Sequence, residues 1–264
     1  MTPIAVTIAG SDSGGGAGIQ ADLKTFAALG VYGASVITAL TAQNTKGVAA
    51  IHDVPADFVG AQMDAVFSDL DAGAVKIGML NNAGVIAVVA AGLDRYRPQN
   101  VVLDPIMVAS TGADLLHADA MDALRSLMSR ALVLTPNLFE AGVLLDVPIA
   151  RDEGEMRAQG ERLLSLGPAA VLIKGGHGSG PDSVDILVEA GNYTRFAAPR
   201  IETRKTHGTG CTLASAIAAG LAKGQNLYEA VGEAKVYVSA AIAAAGQLKI
   251  GSGRDPLHHF SKWW

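Results

Sequence analysis

The stretch His207-Gly-Thr-Gly-Cys-Thr-Leu-Ala-Ser-Ala216 carries the sharpest chemical signal in this chain. Gly208, Thr209 and Gly210 make a turn, and a helix of small residues follows. Successive backbone N–H groups at such a turn form a cradle for an anion. Cys211, the only cysteine in the sequence, stands at the start of that helix. A thiol placed there is expected to have a lowered pKa. The residues leave three roles open for it: a catalyst with His207 as partner base, part of the anion-binding turn, or filler.

A second glycine-rich stretch, Gly-Ser-Asp-Ser-Gly-Gly-Gly-Ala-Gly, spans residues 10–18. Glycines allow close approach of backbone to a ligand. No Gly-Lys-Ser/Thr follows, so it is not a P-loop. Ala21 stands where a dinucleotide fingerprint starting at Gly16 would need glycine. Asp22 is placed in the first turn of the helix that follows. Either it compensates the helix dipole, or its carboxylate lies near a reacting hydroxyl.

Asp104 directly follows an apolar run, and Glu140 lies four residues after Pro136 in Thr-Pro-Asn-Leu-Phe-Glu. Mg2+ serving phosphate chemistry keeps its waters and takes only one or two carboxylates, which suits this pair. Asn137 and Glu140 read equally as a capping box. Lys174, after an apolar run and before two glycines, offers a compact charge for phosphate oxygens. Gln43 presents a donor and an acceptor that suit a heteroaromatic edge or a loop backbone. Met79 suits a ring face or the core. Together these parts match what phosphoryl transfer needs: positioning, charge neutralisation and a group near the attacking hydroxyl.

The elements that must position them alternate. Strand-like runs at 4–10, 34–40, 74–80, 101–105, 131–136 and 170–176 are apolar on both faces, as in parallel sheets covered by helices. Helical patterns occupy 17–30, 56–70 and 81–96. This alternation predicts an α/β fold with a mostly parallel central sheet. Two strand-like runs within 183–201, joined at Ala-Gly-Asn, predict one antiparallel hairpin at an edge. No repeat or linker interrupts residues 1–264, so one domain is expected. The polar and glycine-rich segments fall at the carboxyl ends of the strands, where ligands bind in such sheets.

Composition narrows the function classes. Charged residues make up 17% of the chain and the formal net charge is -5. No basic face for nucleic acid or a membrane surface is expected. The apolar run at 236–246 is too short to span a bilayer. One cysteine forms no internal disulfide, which favours a reducing compartment, the cytoplasm.

Several of these segments in order carry a wider resemblance: 8–45, Val-Lys-Ile-Gly-Met-Leu at 75–80, Asp-Pro-Ile-Met at 104–107, Leu-Thr-Pro-Asn-Leu-Phe-Glu-Ala at 134–141, Lys-Gly-Gly-His at 174–177 and His-Gly-Thr-Gly-Cys at 207–211. Over essentially its whole length the chain resembles the ribokinase-like superfamily, and within it the hydroxymethylpyrimidine/phosphomethylpyrimidine kinases of thiamin biosynthesis. The resemblance implies a three-layer α/β/α fold, a homodimer and two successive phosphorylations by ATP with Mg2+. The first acts on 4-amino-5-hydroxymethyl-2-methylpyrimidine and the second on its monophosphate. It implies that Gln43 pairs with the pyrimidine, with Gly10, Ala17 and Met79 lining the pocket. Asp104 and Glu140 would serve Mg2+, Lys174 the ATP phosphates, and residues 208–211 the anion hole, including the N–H groups of Gly208 and Gly210. Thr206, His207 and Thr209 would lie near the nucleotide. Many relatives have Asp where Cys211 stands, as the base. Arg254 and Asp255 depart from the family pattern, which puts nucleotide contacts of this tail in question. The alternatives are a pyridoxine/pyridoxal/pyridoxamine kinase with the same chemistry, a pyrimidine-sensing module without catalysis, and a thiol enzyme built on Cys211.

Overall fold

The structure is a computed structural model that describes residues 1–108, 115–117, 120–176, 178 and 180–264. His177, in the Lys-Gly-Gly-His run, lies outside the described residues. The strands are β1 (Ile4–Asp12), β2 (Tyr32–Asn44), β3 (Gly47–Asp53), β4 (Ala74–Ile77), β5 (Val101–Leu103), β6 (Val133–Leu134), β7 (Ala170–Lys174), β8 (Asp182–Glu189) and β9 (Asn192–Pro199). The helices are α1 (Gly18–Ala28), α2 (Ala56–Phe67), α3 (Ala83–Tyr96), α4 (Met121–Leu127), α5 (Leu138–Leu145), α6 (Glu153–Leu164), α7 (Thr209–Ala222) and α8 (Leu227–Ala244).

The strands form one sheet in the order β3-β2-β1-β4-β5-β6-β7-β8-β9. Pairing is parallel from β2 through β7. It is antiparallel at both edges, between β2 and β3 and along β7-β8-β9. Side chains alternate across the sheet, as the pleat requires. Val101, Leu103, Val171 and Ile173 join the core under α2, α3, α5 and α6. Val102, Ala170 and Leu172 join the core under α7 and α8. The result is the expected α/β/α layering with a mostly parallel sheet.

Two expectations are corrected and one is extended. The hairpin at 183–201 is present, but β3 adds antiparallel pairing at the opposite edge as well. The second strand does not end with the apolar run 34–40 but runs on to include Gln43, because pairing with β3 carries the ladder out to Asn44↔Gly47. Asp22 is not in the first turn of its helix, since α1 begins at Gly18 and has no acidic residue in that turn. Dipole compensation therefore does not explain it.

The chain leaves β1 toward β2 on one side and returns to β4 on the other. The carboxyl ends of β1 and β4 thus flank a topological switch point, where open α/β sheets form their binding crevice.

Candidate active site

The glycine-rich loop after β1 is organised by Asp12. Its Oδ1 accepts from Gly14 N–H at 2.8 Å, and its Oδ2 accepts from the N–H groups of Gly16 at 3.0 Å and Ala17 at 2.8 Å. His207 Nε2 lies 2.9 Å from the same Oδ2. Burial opposes the charge on Asp12, but the His207 ring and the N–H groups of Ala17 and Gly14 hold its carboxyl below the usual range. One carboxylate therefore joins the first loop of the sheet to the residue that opens the second.

That second loop leads into α7. Gly208 is its N-cap with φ of 84°, and no side chain caps the turn. A Cβ at Gly208 would stand 1.9 Å from the Gly16 carbonyl oxygen, so the two glycine loops touch backbone to backbone. Thr209 N–H is spent on the Thr206 carbonyl at 3.2 Å, and Thr212 Oγ1 donates to the Gly208 carbonyl at 2.8 Å. The next N–H groups, of Gly210 and Cys211, are first-turn donors with no helical acceptor. They form the open mouth of the cradle.

Cys211 is buried. Burial pushes its thiol up to about 11; Lys76 and the Gly18 N–H pull the other way, while Asp22 and Asp104 add to the rise. This reverses the expected lowering. A helix N-terminus favours a thiolate only when solvent or net positive charge supports it, and neither outweighs burial here.

The acidic and basic candidates converge on this mouth. Lys174 Nζ lies 2.6 Å from Asp104 Oδ1 and 3.9 Å from Glu140 Oε2. A Cβ at Gly210 would be 3.4 Å from Lys174 Nζ and 3.6 Å from Asp104 Oδ2, so the pair sits directly against the turn. Thr135 Oγ1 donates to Asp104 Oδ1 at 3.0 Å, which leaves Oδ2 turned toward Gly210. Burial disfavours the charge on Lys174, yet Asp104 and Glu140 keep its pKa above the lysine value. Glu140 closes a capping box with Asn137: its Oε2 accepts from Asn137 N–H at 2.7 Å, and Asn137 Oδ1 accepts from Glu140 N–H at 2.9 Å. Burial pushes Glu140 up to about 7, with Lys174 opposing. Among the described residues no three His, Cys, Asp or Glu side chains could hold a metal alone. Two carboxylates, each with an oxygen to spare, fit an ion that keeps its waters and draws further ligands from phosphate.

Asp22 does not reach this mouth. It is fully buried and accepts from Thr7 Oγ1 at 2.6 Å, Ser215 Oγ at 2.7 Å and Lys76 Nζ at 2.9 Å. Lys76 is equally buried, and Asp22 outweighs burial to keep its pKa above the usual lysine value. The pair locks α1, β1, β4 and α7 together beneath the cradle.

At the crevice itself, Met79 is buried, and its Sδ would stand 3.0 Å from a Cβ at Gly10. Ala17 N–H is taken by Asp12. Gln43 contacts His207, its amide 3.4 Å from Nε2. The Asp255 carboxylate pairs with Lys205 at 2.9 Å and the Asp255 backbone carbonyl accepts from the His207 backbone N–H at 3.4 Å, while the Arg254 backbone N–H donates to the Thr45 carbonyl at 2.7 Å. The tail therefore braces the loops from outside.

A family model described as phosphomethylpyrimidine kinase matches residues 12–258. The chain belongs to this family. A hydroxymethylpyrimidine/phosphomethylpyrimidine kinase of Rhizobium meliloti is 60% identical over 100% of this chain and 99% of its own length. A solved phosphomethylpyrimidine kinase of Clostridium difficile is 44% identical, with a TM-score of 0.81 over 90% of this chain and 99% of that one. A pyridoxal kinase of Bacillus subtilis, solved as an ADP complex, is 33% identical with a TM-score of 0.91, covering 99% of each chain.

Within this phosphomethylpyrimidine kinase family member, three residues central to the geometry escape sequence reasoning: Asp12, Lys76 and Ser215. Asp12 is hidden inside a stretch read for its glycines. Lys76 left one signal, a charge in the middle of an apolar strand run. Ser215 looks like one more small residue of α7. No helix among the described residues is long and apolar enough to cross a membrane.

Proposed function

We propose that this chain transfers the terminal phosphate of ATP first to the hydroxymethyl group of 4-amino-5-hydroxymethyl-2-methylpyrimidine and then to the resulting monophosphate. The observation that carries this reading is the meeting of the α7 turn, the Lys174–Asp104 pair and the Asp12 loop at one sheet edge. The Gly210 and Cys211 N–H groups face developing negative charge on the transferred group. Lys174 neutralises phosphate oxygens from beside the turn. Asp104 and Glu140 are the residues that would hold Mg2+, which when bound shields the phosphate charge. Gln43 reads the pyrimidine edge beside Gly10 and Met79.

A loose phosphoryl-transfer transition state asks little of a base. Cys211, a neutral thiol at neutral pH, contributes through its backbone N–H and its packing rather than as a strong base. Asp22, spent on three donors, positions α7. Thr206 and Thr209 shape the turn. The cytoplasm is the compartment and a homodimer the assembly that this reading favours.

The test is a coupled assay of ADP release with the pyrimidine alcohol and Mg·ATP, with phosphates counted on the product. Two phosphates added in sequence support the reading, and no ADP release sinks it. The fit to the pyridoxal kinase fold favours a second reading, phosphorylation of pyridoxal. Side-by-side kcat/KM values separate the two, and a strong preference for pyridoxal reverses the choice.

A further inference from the structure

His207 Nε2 faces two side chains at once, Asp12 Oδ2 at 2.9 Å and the Gln43 amide at 3.4 Å. One ring nitrogen cannot donate to the first and accept from the second. Asp12 decides between them. Its Oδ2 already accepts two backbone N–H groups and is held as a carboxylate, so it takes a proton from its neighbour and gives none. The hydrogen is therefore on Nε2. An N–H group at that place repels the NH2 of Gln43 and attracts its oxygen.

The other neighbour of the amide asks for the same orientation. Thr41 Oγ1 lies 2.8 Å from the Ser11 carbonyl and 3.1 Å from the Gln43 amide. A hydroxyl has one proton. Once it is given to Ser11, Thr41 presents only lone pairs to Gln43 and matches NH2 rather than oxygen. A half-turn of the planar amide, which places Oε1 at His207 and Nε2 at Thr41, satisfies Asp12, His207 Nε2, Gln43 and Thr41 together without steric cost.

We propose that Asp12 and His207 are positioning residues that fix the Gln43 amide with its oxygen toward the His207 N–H and its NH2 toward Thr41. The remaining N–H and the second oxygen lone pair then present a donor and an acceptor in one order. An aminopyrimidine edge, with a ring nitrogen beside an amino group, matches such a pair. This moves His207 from the nucleotide to the pyrimidine side of the cradle. The proposal rests on the reading that Gln43 faces the pyrimidine.

Two arms test it. Neutron diffraction from the ligand-free wild-type protein distinguishes nitrogen from oxygen and locates exchangeable hydrogens. Deuterium on His207 Nε2 with the Gln43 oxygen beside it is expected; a bare Nε2, or NH2 facing His207, overturns the proposal. The kinetic arm compares His207→Leu with His207→Gln, whose amide NH2 replaces the donor near Nε2, after thermal melts show both folded. His207→Leu is expected to raise KM for the pyrimidine alcohol about tenfold, with KM for ATP changed less than about twofold, and His207→Gln to recover most of it. In a Gln43→Ala background the His207→Leu penalty should vanish. An equal penalty in both backgrounds, or a rise confined to ATP, overturns the proposal. If wild-type protein does not phosphorylate the pyrimidine alcohol, the functional reading falls, while the neutron arm still decides the orientation of the amide.

Discussion

Lys174 Nζ lies 2.6 Å from Asp104 Oδ1, and both side chains press against the Gly210 end of the α7 turn. The ammonium is therefore held in place by a carboxylate that is itself fixed by Thr135. Preorganised charge of this kind stabilises a transition state without reorganisation. Replacing Lys174 with Met should lower kcat roughly a hundredfold or more, and Lys174→Arg should recover little, because a planar fork does not fit a point-charge site. Steady-state kinetics at saturating ATP measures this.

The Asp22–Lys76 pair has no exposure at either side chain. Removing one partner leaves a buried charge alone. Lys76→Met should cost about 3–5 kcal/mol of stability. The double variant Lys76→Met with Asp22→Asn should recover part of that loss, since no bare carboxylate remains. Urea unfolding of the three proteins checks the order.

Asp12 gives the acid limb of the stability profile a defined sign. Its folded pKa is held below 3.8, the unfolded value. The folded state then binds the proton less tightly than the unfolded chain, so its contribution is complete above about pH 5 and drains away as pH falls through the folded value. Asp12→Asn should lower stability at pH 7 and flatten the acid limb. Unfolding free energies measured from pH 7 down to pH 3 would show the same slope in both proteins if this is wrong.

Gly208 stands at φ of 84° with the Gly16 oxygen 1.9 Å from where a Cβ would be. An alanine there meets a strained backbone, about 1–2 kcal/mol by itself, and a direct clash. Gly208→Ala should lower Tm by several degrees and abolish most activity. Gly224 has a similar φ of 86° but open space around it, so Gly224→Ala should carry the strain alone and keep activity. Calorimetry and the ADP assay on both variants separate clash from strain.

With its thiol near 11, Cys211 stays protonated at pH 8. Alkylation by iodoacetamide in the native protein should be far slower than for an exposed cysteine. Cys211→Ala should fold normally and weaken turnover by no more than about tenfold. Turnover lost entirely in a folded Cys211→Ala protein would restore a catalytic thiol.

Much of this protein was legible from residues alone. Apolar runs with helical patterns between them dictated a parallel sheet with helices on both faces, because a strand buried on both sides has no other composition. The chemistry at the strand ends followed from the same order: Asp104, Lys174 and the Gly208–Cys211 turn each come just after an apolar run or open a helix. Their residue types pointed to anion and metal chemistry before any contact was known. Tertiary structure alone decided which groups are spent. Asp22 looked like an available carboxylate until Thr7, Ser215 and Lys76 closed around it from three other elements. Cys211 looked activated by its helix until burial reversed the sign. Asp12, Gln43 and His207 are far apart in the chain and carry no shared pattern, yet loop packing brings them onto one ring nitrogen. Local sequence encodes periodicity and turn chemistry, which act over a few residues. Hydrogen-bond partners and desolvation are set by residues distant in the chain, so they exist only once the chain has folded.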